Sequence, residues 1–237
     1  MTAKANQLIA ALPAEAYHRW AAQLQVVDMR PGDVLHESGR TVGHVYFPTT
    51  SIVSLLHILE NGASAEIALV GNEGIVGISA FMGGAATPNQ SVVRSAGRGF
   101  RLPVAPLVEA FEQGGQVAKL LLRYTQALMT QVAQTAACNR HHSLDQQLCR
   151  FLLVSLDRLH TLELWITQEL IANMLGVRRE GVTAAALALQ KAGLITYARG
   201  HVTVVDRQAL ERRSCECYAV VKAEYDRLLP GKPAPTS

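Results

Sequence analysis

Residues 167–205, TQELIANMLGVRREGVTAAALALQKAGLITYARGHVTVV, constrain the fold more than any other stretch. Leu170, Ile171, Met174 and Leu175 recur at i, i+1, i+4 and i+5, which is one face of a helix. Gly176 supplies the backbone freedom of a tight turn between helices, and Val177 fills the gap behind it. A second helical period turns Val182, Ala185, Ala186 and Leu189 inward. Arg178, Arg179, Glu180, Thr183 and Ala184 then fall at its start and on its outer face. Gly193 ends that helix, and residues 194–197 and 202–205 read as two strands closed by Arg199-Gly200. Helix, turn, helix and hairpin in this order spell a winged helix-turn-helix. A helix start carrying two arginines suits DNA, whereas a bare helix, turn, helix also occurs in ordinary helical cores.

Charge separates these alternatives in part, because a surface that binds duplex must offset phosphate charge. The net charge of +3 arises in residues 139–213, which hold 10 Lys+Arg against 7 Asp+Glu, and the segments on either side are balanced. At 237 residues and 49% hydrophobic content the chain has material for two cores. The start, Met1-Thr2-Ala3-Lys4, leads only into a short apolar run broken at Pro13, which is no secretory signal. No run approaches the roughly 18 apolar residues of a membrane span. A cytoplasmic protein without membrane contact is expected, with an unstructured Pro-rich tail from Leu229 to Ser237.

Four cysteines, Cys138, Cys149, Cys215 and Cys217, match neither a zinc knuckle nor a CxxC redox pair. Cys215-Glu216-Cys217 and the group Cys138, His141, His142 could be metal or redox sites. The plainer expectation is structural: no metal ligand set, with Cys138 and Cys149 on a similar helical face as small apolar groups.

Ahead of these, short β-type runs punctuated by glycine occupy 25–29, 34–36, 44–48, 52–58, 65–70, 76–78, 91–95 and 99–103. Strands this short and evenly spaced suggest a β-barrel, roll or sandwich. Asn61-Gly62 reads as a two-residue hairpin loop. After Pro106 a helical period takes over. Val117, Leu121, Tyr124, Leu128, Gln131 and Thr135 recur at alternating steps of four and three, a coiled-coil stripe that implies a partner helix. The alternative is a helix packed only on its own β-domain. Asn139 to His142 interrupts the stripe as a hinge, and Ser143 reads as the N-cap of a helix carrying Leu148, Phe151, Leu152 and Leu156.

β-roll, long helix, hinge and winged helix-turn-helix, in that order, resemble the cyclic-AMP receptor protein and fumarate–nitrate regulator family. The resemblance spans roughly residues 15–210. It is carried by Val45-Tyr46-Phe47-Pro48, Gly71-Asn72-Glu73-Gly74, Thr167-Gln168-Glu169-Leu170-Ile171-Ala172 and Leu175-Gly176-Val177-Arg178-Arg179-Glu180-Gly181-Val182. It implies an α+β fold with an N-terminal double-stranded β-helix of the cyclic-nucleotide-binding kind over 1–115, a dimerisation helix over 116–140 and a DNA-binding domain over 141–237. It further implies a homodimeric transcription regulator that reads a palindrome on double-stranded DNA, with RNA polymerase as a partner. Arg179 and Glu180 fall where the family reads base edges, with Arg178 and Thr183 beside them. An Arg can grip G O6 and N7 while a Glu accepts from C N4. Thr167, Gln168, Arg199 and His201 are the phosphate-contact candidates.

The sequence also departs from the family. Ala184 stands where some members carry a second base-reading arginine, and Arg178 where a Ser or Thr cap is usual. Cyclic-nucleotide members hold the ribose with a Glu after a Gly and the cyclic phosphate with an Arg-Ser pair. Here Gly77 precedes Ile78, and the aligned loop reads Ala85-Ala86-Thr87-Pro88-Asn89. Arg94-Ser95 imitates the phosphate phrase but lies further on, where a solvent-facing strand arginine is the commoner explanation. An oxygen-sensing iron–sulfur cluster needs N-terminal cysteines, and none precedes Cys138. Neither cyclic AMP nor an iron–sulfur cluster is therefore expected, and the sequence names no other effector. If one enters the β-roll, Ile67, Leu69, Gly77, Ile78, Val92 and Arg94 are the expected pocket.

A second reading makes the protein a redox or metal sensor through Cys138, His141, His142, Cys149, Cys215 or Cys217, with DNA binding as its output. An enzyme is not expected, since no nucleophile elbow, phosphate loop, HExxH or paired-carboxylate spacing is present.

Overall fold

Short runs of strand-forming residues between glycine turns dictate the first half of the chain. The computed structural model describes residues 2–84 and 86–229. The tail from Pro230 lies outside the described residues, as does Ala85. A 3-10 turn, Ala3–Ala5, leads into α1, Gln7–Ala10, and α2, Ala14–Ala21. Asn6 caps α1 by accepting from Leu8 N and Ile9 N, while its Nδ2 donates to the carbonyls of Pro48 and Gly74.

Seven strands follow: β1, Gln25–Met29; β2, Val34–His36; β3, His44–Pro48; β4, Ile52–Ile58; β5, Ser64–Val70; β6, Gln90–Ser95; and β7, Gly97–Pro103. They form two antiparallel sheets, ordered β1-β7-β3 and β2-β6-β4-β5. Met29 of the first sheet packs with Val53, Val70 and Val93 of the second, all buried, which joins the two sheets as a roll. Each such buried apolar side chain contributes roughly 1.5–3 kcal/mol. Residues 76–78 are not a strand. Val76 makes only an isolated bridge to Tyr46, and Ile78–Ala80 is a 3-10 turn. The loop at Asn61-Gly62 is wider than two residues, closing through Leu59 N to Ala63 O.

Helix α3, Val104–Glu112, leads to the 27-residue α4, Gly115–His141. Val117, Leu121, Tyr124, Leu128, Gln131 and Thr135 of α4, expected to face a second chain, are buried inside this one. The first four join the core beneath the roll, and Gln131 Nε2 donates to Leu69 O at 3.1 Å. The stripe has the expected period, and within this chain it is covered by the roll and by the C-terminal helix described below.

The helix continues through Asn139, Arg140 and His141, so the break is confined to His142-Ser143. Ser143 opens α5, Leu144–Leu159, in a reciprocal capping box with Gln146. Then come β8, Glu163–Trp165; α6, Gln168–Leu175; α7, Arg179–Lys191; β9, Ile195–Ala198; β10, His201–Val204; α8, Arg207–Arg213; and α9, Glu216–Leu228. α9 returns to pack along α4. Leu229, which composition assigns to the tail, is buried beside it in the core under the roll. No described helix is long and apolar enough to cross a membrane.

Candidate nucleic-acid interface

One side-chain cap and one glycine position the helical pair. Thr167 caps α6 by accepting from Leu170 N, and α6 ends on Gly176 at φ 66°, the left-handed region that favours glycine. Ile171, Ala172, Met174 and Leu175 are buried, and so are Val182, Ala185, Ala186 and Leu189 of α7. Leu170, expected inward with them, is 38% exposed. Its position one step round the helix carries it past the edge of the buried face.

α7 begins at Arg178, whose side chain makes no capping bond, so the first backbone N–H groups of the helix keep no side-chain partner at that position. Arg178, Arg179 and Glu180 are exposed there together. Arg179 Nε lies 4.0 Å from Glu169 Oε2 across the α6–α7 junction, with both side chains more than 60% exposed. An exposed pair of this kind is weakly held and exchanges readily for another anion. Thr183, expected among the base-reading residues, is half-buried. Its Oγ1 lies 2.6 Å from Gln168 Oε1 and 3.1 Å from the Arg179 carbonyl. Thr183 and Gln168 are thus engaged with each other as a strut between α6 and α7.

Beside the pair, β8, β10 and β9 form a three-stranded sheet in that order. Arg199 at φ 51° and Gly200 at φ 79° make the two-residue turn between β9 and β10. Arg199 is exposed at its tip. His201 is stacked on Trp165, ring centroids 4.3 Å apart, and its Nε2 lies 3.2 Å from Glu163 Oε2. Trp165 is 73% exposed. Nothing in the local sequence singles it out: Glu163-Leu164-Trp165 alternates in exposure, but Trp165 is itself apolar and the signal of an edge strand is lost. Tyr197 Oη donates to Ile166 O at 2.7 Å, tying the hairpin to the residue before the α6 cap. Partial burial pushes that phenol up to about 12.

α5 joins this unit to the roll through buried charge. Arg158 Nε donates to Glu73 Oε1 at 2.7 Å and Nη2 to Gln131 Oε1 at 2.5 Å. Gly71 and Gly74 permit the approach: a Cβ on Gly71 would lie 2.6 Å from Arg158 Cβ, and one on Gly74 would lie 2.5 Å from Tyr124 Oη. Arg94 is neither solvent-facing nor a free phosphate clamp. It is buried between β6 and α5, donating to Ser155 Oγ at 3.1 Å, 3.8 Å from Glu66 Oε2 and over the Phe151 ring. Burial lowers its guanidinium to about 10, opposed by the Glu66 carboxylate.

Among the described residues, the six expected to line an effector pocket lie in different surroundings. Leu69 borders a cavity of about 20 Å³ with Glu66, Gln131 and Arg150, and Arg94 is taken up by α5. Val92 pairs with Val34 in the sheet, Ile67 is half-buried, and Gly77 at φ 104° precedes the 3-10 turn that contains Ile78. A roomier cleft of about 320 Å³ lies instead where the 72–73 loop, α5 and α9 meet, bordered by Arg158, Tyr218, Lys222 and Tyr225.

Residues 146–213 match the Crp-like helix-turn-helix domain. No curated protein matches the chain. Among solved structures, FixK2 from Bradyrhizobium japonicum is similar over 81% of this chain and 98% of its own, with TM-score 0.71 and 17% identity. A putative Crp/Fnr-family transcriptional regulator from Eubacterium rectale covers 88% of this chain and 98% of its own, with TM-score 0.68 and 19% identity. TTHB099, a CRP-family transcriptional regulator from Thermus thermophilus, covers 79% and 96%, with TM-score 0.64 and 21% identity. The chain therefore carries a Crp-like helix-turn-helix domain, which indicates DNA binding, on the fold of the Crp/Fnr-type transcription regulators.

Proposed function

We propose that the protein is a homodimeric, sequence-specific DNA-binding transcription regulator in which Arg179 and Glu180 read base edges in the major groove. The observation that carries this reading is the exposed start of α7, where Arg178, Arg179 and Glu180 stand together with only a weak contact to Glu169. Arg199 at the hairpin tip and the Trp165–His201 stack extend the same surface toward a phosphate backbone. The N-cap Thr167 adds a hydroxyl at a helix start, where phosphate is well placed.

A dimer needs a free face on α4. Leu122 and Met129, seven residues apart, are 54% and 63% exposed, and Ala133, Ala136 and Arg140 continue the stripe from Met129 at steps of four, three and four. We place the two-fold contact on this face, with two copies reading half-sites about one helical turn apart. Selection of genomic fragments by the purified protein, followed by anisotropy titration across a salt series, tests the reading. A palindromic site whose affinity falls steeply with salt supports it. Weak, sequence-blind binding in which Arg179→Ala changes nothing overturns it.

A further inference from the structure

Both ends of the DNA-binding domain meet at one cluster of soft ligands. Cys138 lies in the last turn of α4 and His142 is its C-cap, so the i, i+4 spacing puts both on one face. Cys215 is the N-cap of α9 and Cys217 lies in its first turn. The fold brings the four together so that one ligand atom from each lies within 4.8 Å of the others. Cys138 Sγ is 3.5 Å from Cys215 Sγ, and Cys217 Sγ is 3.5 Å from His142 Nδ1. In a tetrahedral site with Zn–S near 2.3 Å, ligand atoms sit about 3.5–3.8 Å apart.

We propose that Cys138, His142, Cys215 and Cys217 form a closed Cys3His site for a thiolate-preferring divalent metal, zinc above all. Two features beyond the ligand set fit it. His142 turns Nδ1 toward the sulfurs while Nε2 faces Glu216 Oε1 at 3.3 Å, so a hydrogen on Nε2 directed at the carboxylate leaves the Nδ1 lone pair free to ligate. Gln147 Nε2 bonds the carbonyls of His142, at 2.9 Å, and Cys138, at 3.4 Å, which holds the turn that carries both ligands. Binding replaces three S–H protons, released to solvent, with three metal–sulfur bonds, leaving a site of net charge −1. Cys149 and His141 are not ligands: Cys149 is packed in the core of the DNA-binding unit, and His141 is exposed beyond the cluster.

All four ligands lie just outside residues 146–213, one pair before the domain and one after it. A bound metal therefore pins the exit and re-entry of α5–α8 to the end of α4. On the DNA-binding reading above, it fixes how the recognition helix is presented.

The test is titration of the reduced, chelator-treated full chain with Co(II). The expected result is one equivalent bound, with thiolate-to-cobalt charge transfer and the intense visible bands of tetrahedral cobalt, displaced by Zn(II). Glu216→Gln, at a surface residue, should weaken cobalt binding about tenfold. Cys215→Ser should lose charge-transfer intensity, and His142→Cys should keep the metal and gain intensity. Cys149→Ser and His141→Ala should change nothing. A weak octahedral spectrum, a spectrum unaltered by Cys215→Ser, or a Cys138–Cys215 disulfide in protein isolated without oxygen would overturn the proposal. The cobalt spectrum does not depend on DNA, so failure of the DNA reading leaves this test intact.

Discussion

Arg158 of α5 holds Glu73 of the roll at 2.7 Å, with side chains only 8% and 12% exposed. The pair closes the seam between the roll and the DNA-binding unit, and the 71–74 loop reaches it only because two glycines leave room for Arg158 and Tyr124.

Removing one partner of this pair leaves a buried, uncompensated charge. Glu73→Ala is expected to cost about 3–5 kcal/mol in urea denaturation, and Arg158→Met combined with Glu73→Leu to recover most of it. Additive losses in the double variant would show that the pair is not a coupled unit.

Glu66 behaves differently, because burial raises its carboxyl above the usual value near 4.5 despite Arg94 and Ser54. A raised native value means that its contribution is fully present below the unfolded value and is lost as pH rises through the native one. Wild type should therefore lose stability relative to Glu66→Gln as pH climbs above about 4.5, by at most about 1.4 kcal/mol per pH unit. Denaturation of both proteins across a pH series that starts at about pH 4 and rises to neutrality checks this; parallel curves would refute it.

At the interface, Arg179→Ala and Glu180→Ala should each relax preference at one half-site step by about 1–3 kcal/mol. Arg199→Ala should weaken all duplexes alike and lower the salt slope by about one. Competition titrations with single-base variants of the selected site separate the two behaviours.

The two stripes of α4 give opposite outcomes. Met129→Glu, on the exposed face, should convert a dimer to a monomer in sedimentation velocity with little loss of fold. Leu121→Ala, on the buried face, should cost about 2–5 kcal/mol of stability and leave the oligomeric state unchanged.

Sequence alone determined the elements whose signals are local. Short β-type runs between glycines marked most strands of the roll, and Gly176, Gly193 and Arg199-Gly200 marked the turns of the winged unit, because each conformation depends on residues next to it. The 4-3 period of α4 was equally legible. Which of its stripes is buried was not, since a helix rotated by a fraction of a turn carries the same period, and only the roll and α9 packing on it decide. Arg94 looked solvent-facing because strand alternation says nothing about a helix laid over the second face. Cys138 and His142 looked unrelated to Cys215 and Cys217 because a ligand set is defined in space. It exists only once α9 folds back along α4 and brings the two ends of the DNA-binding unit together.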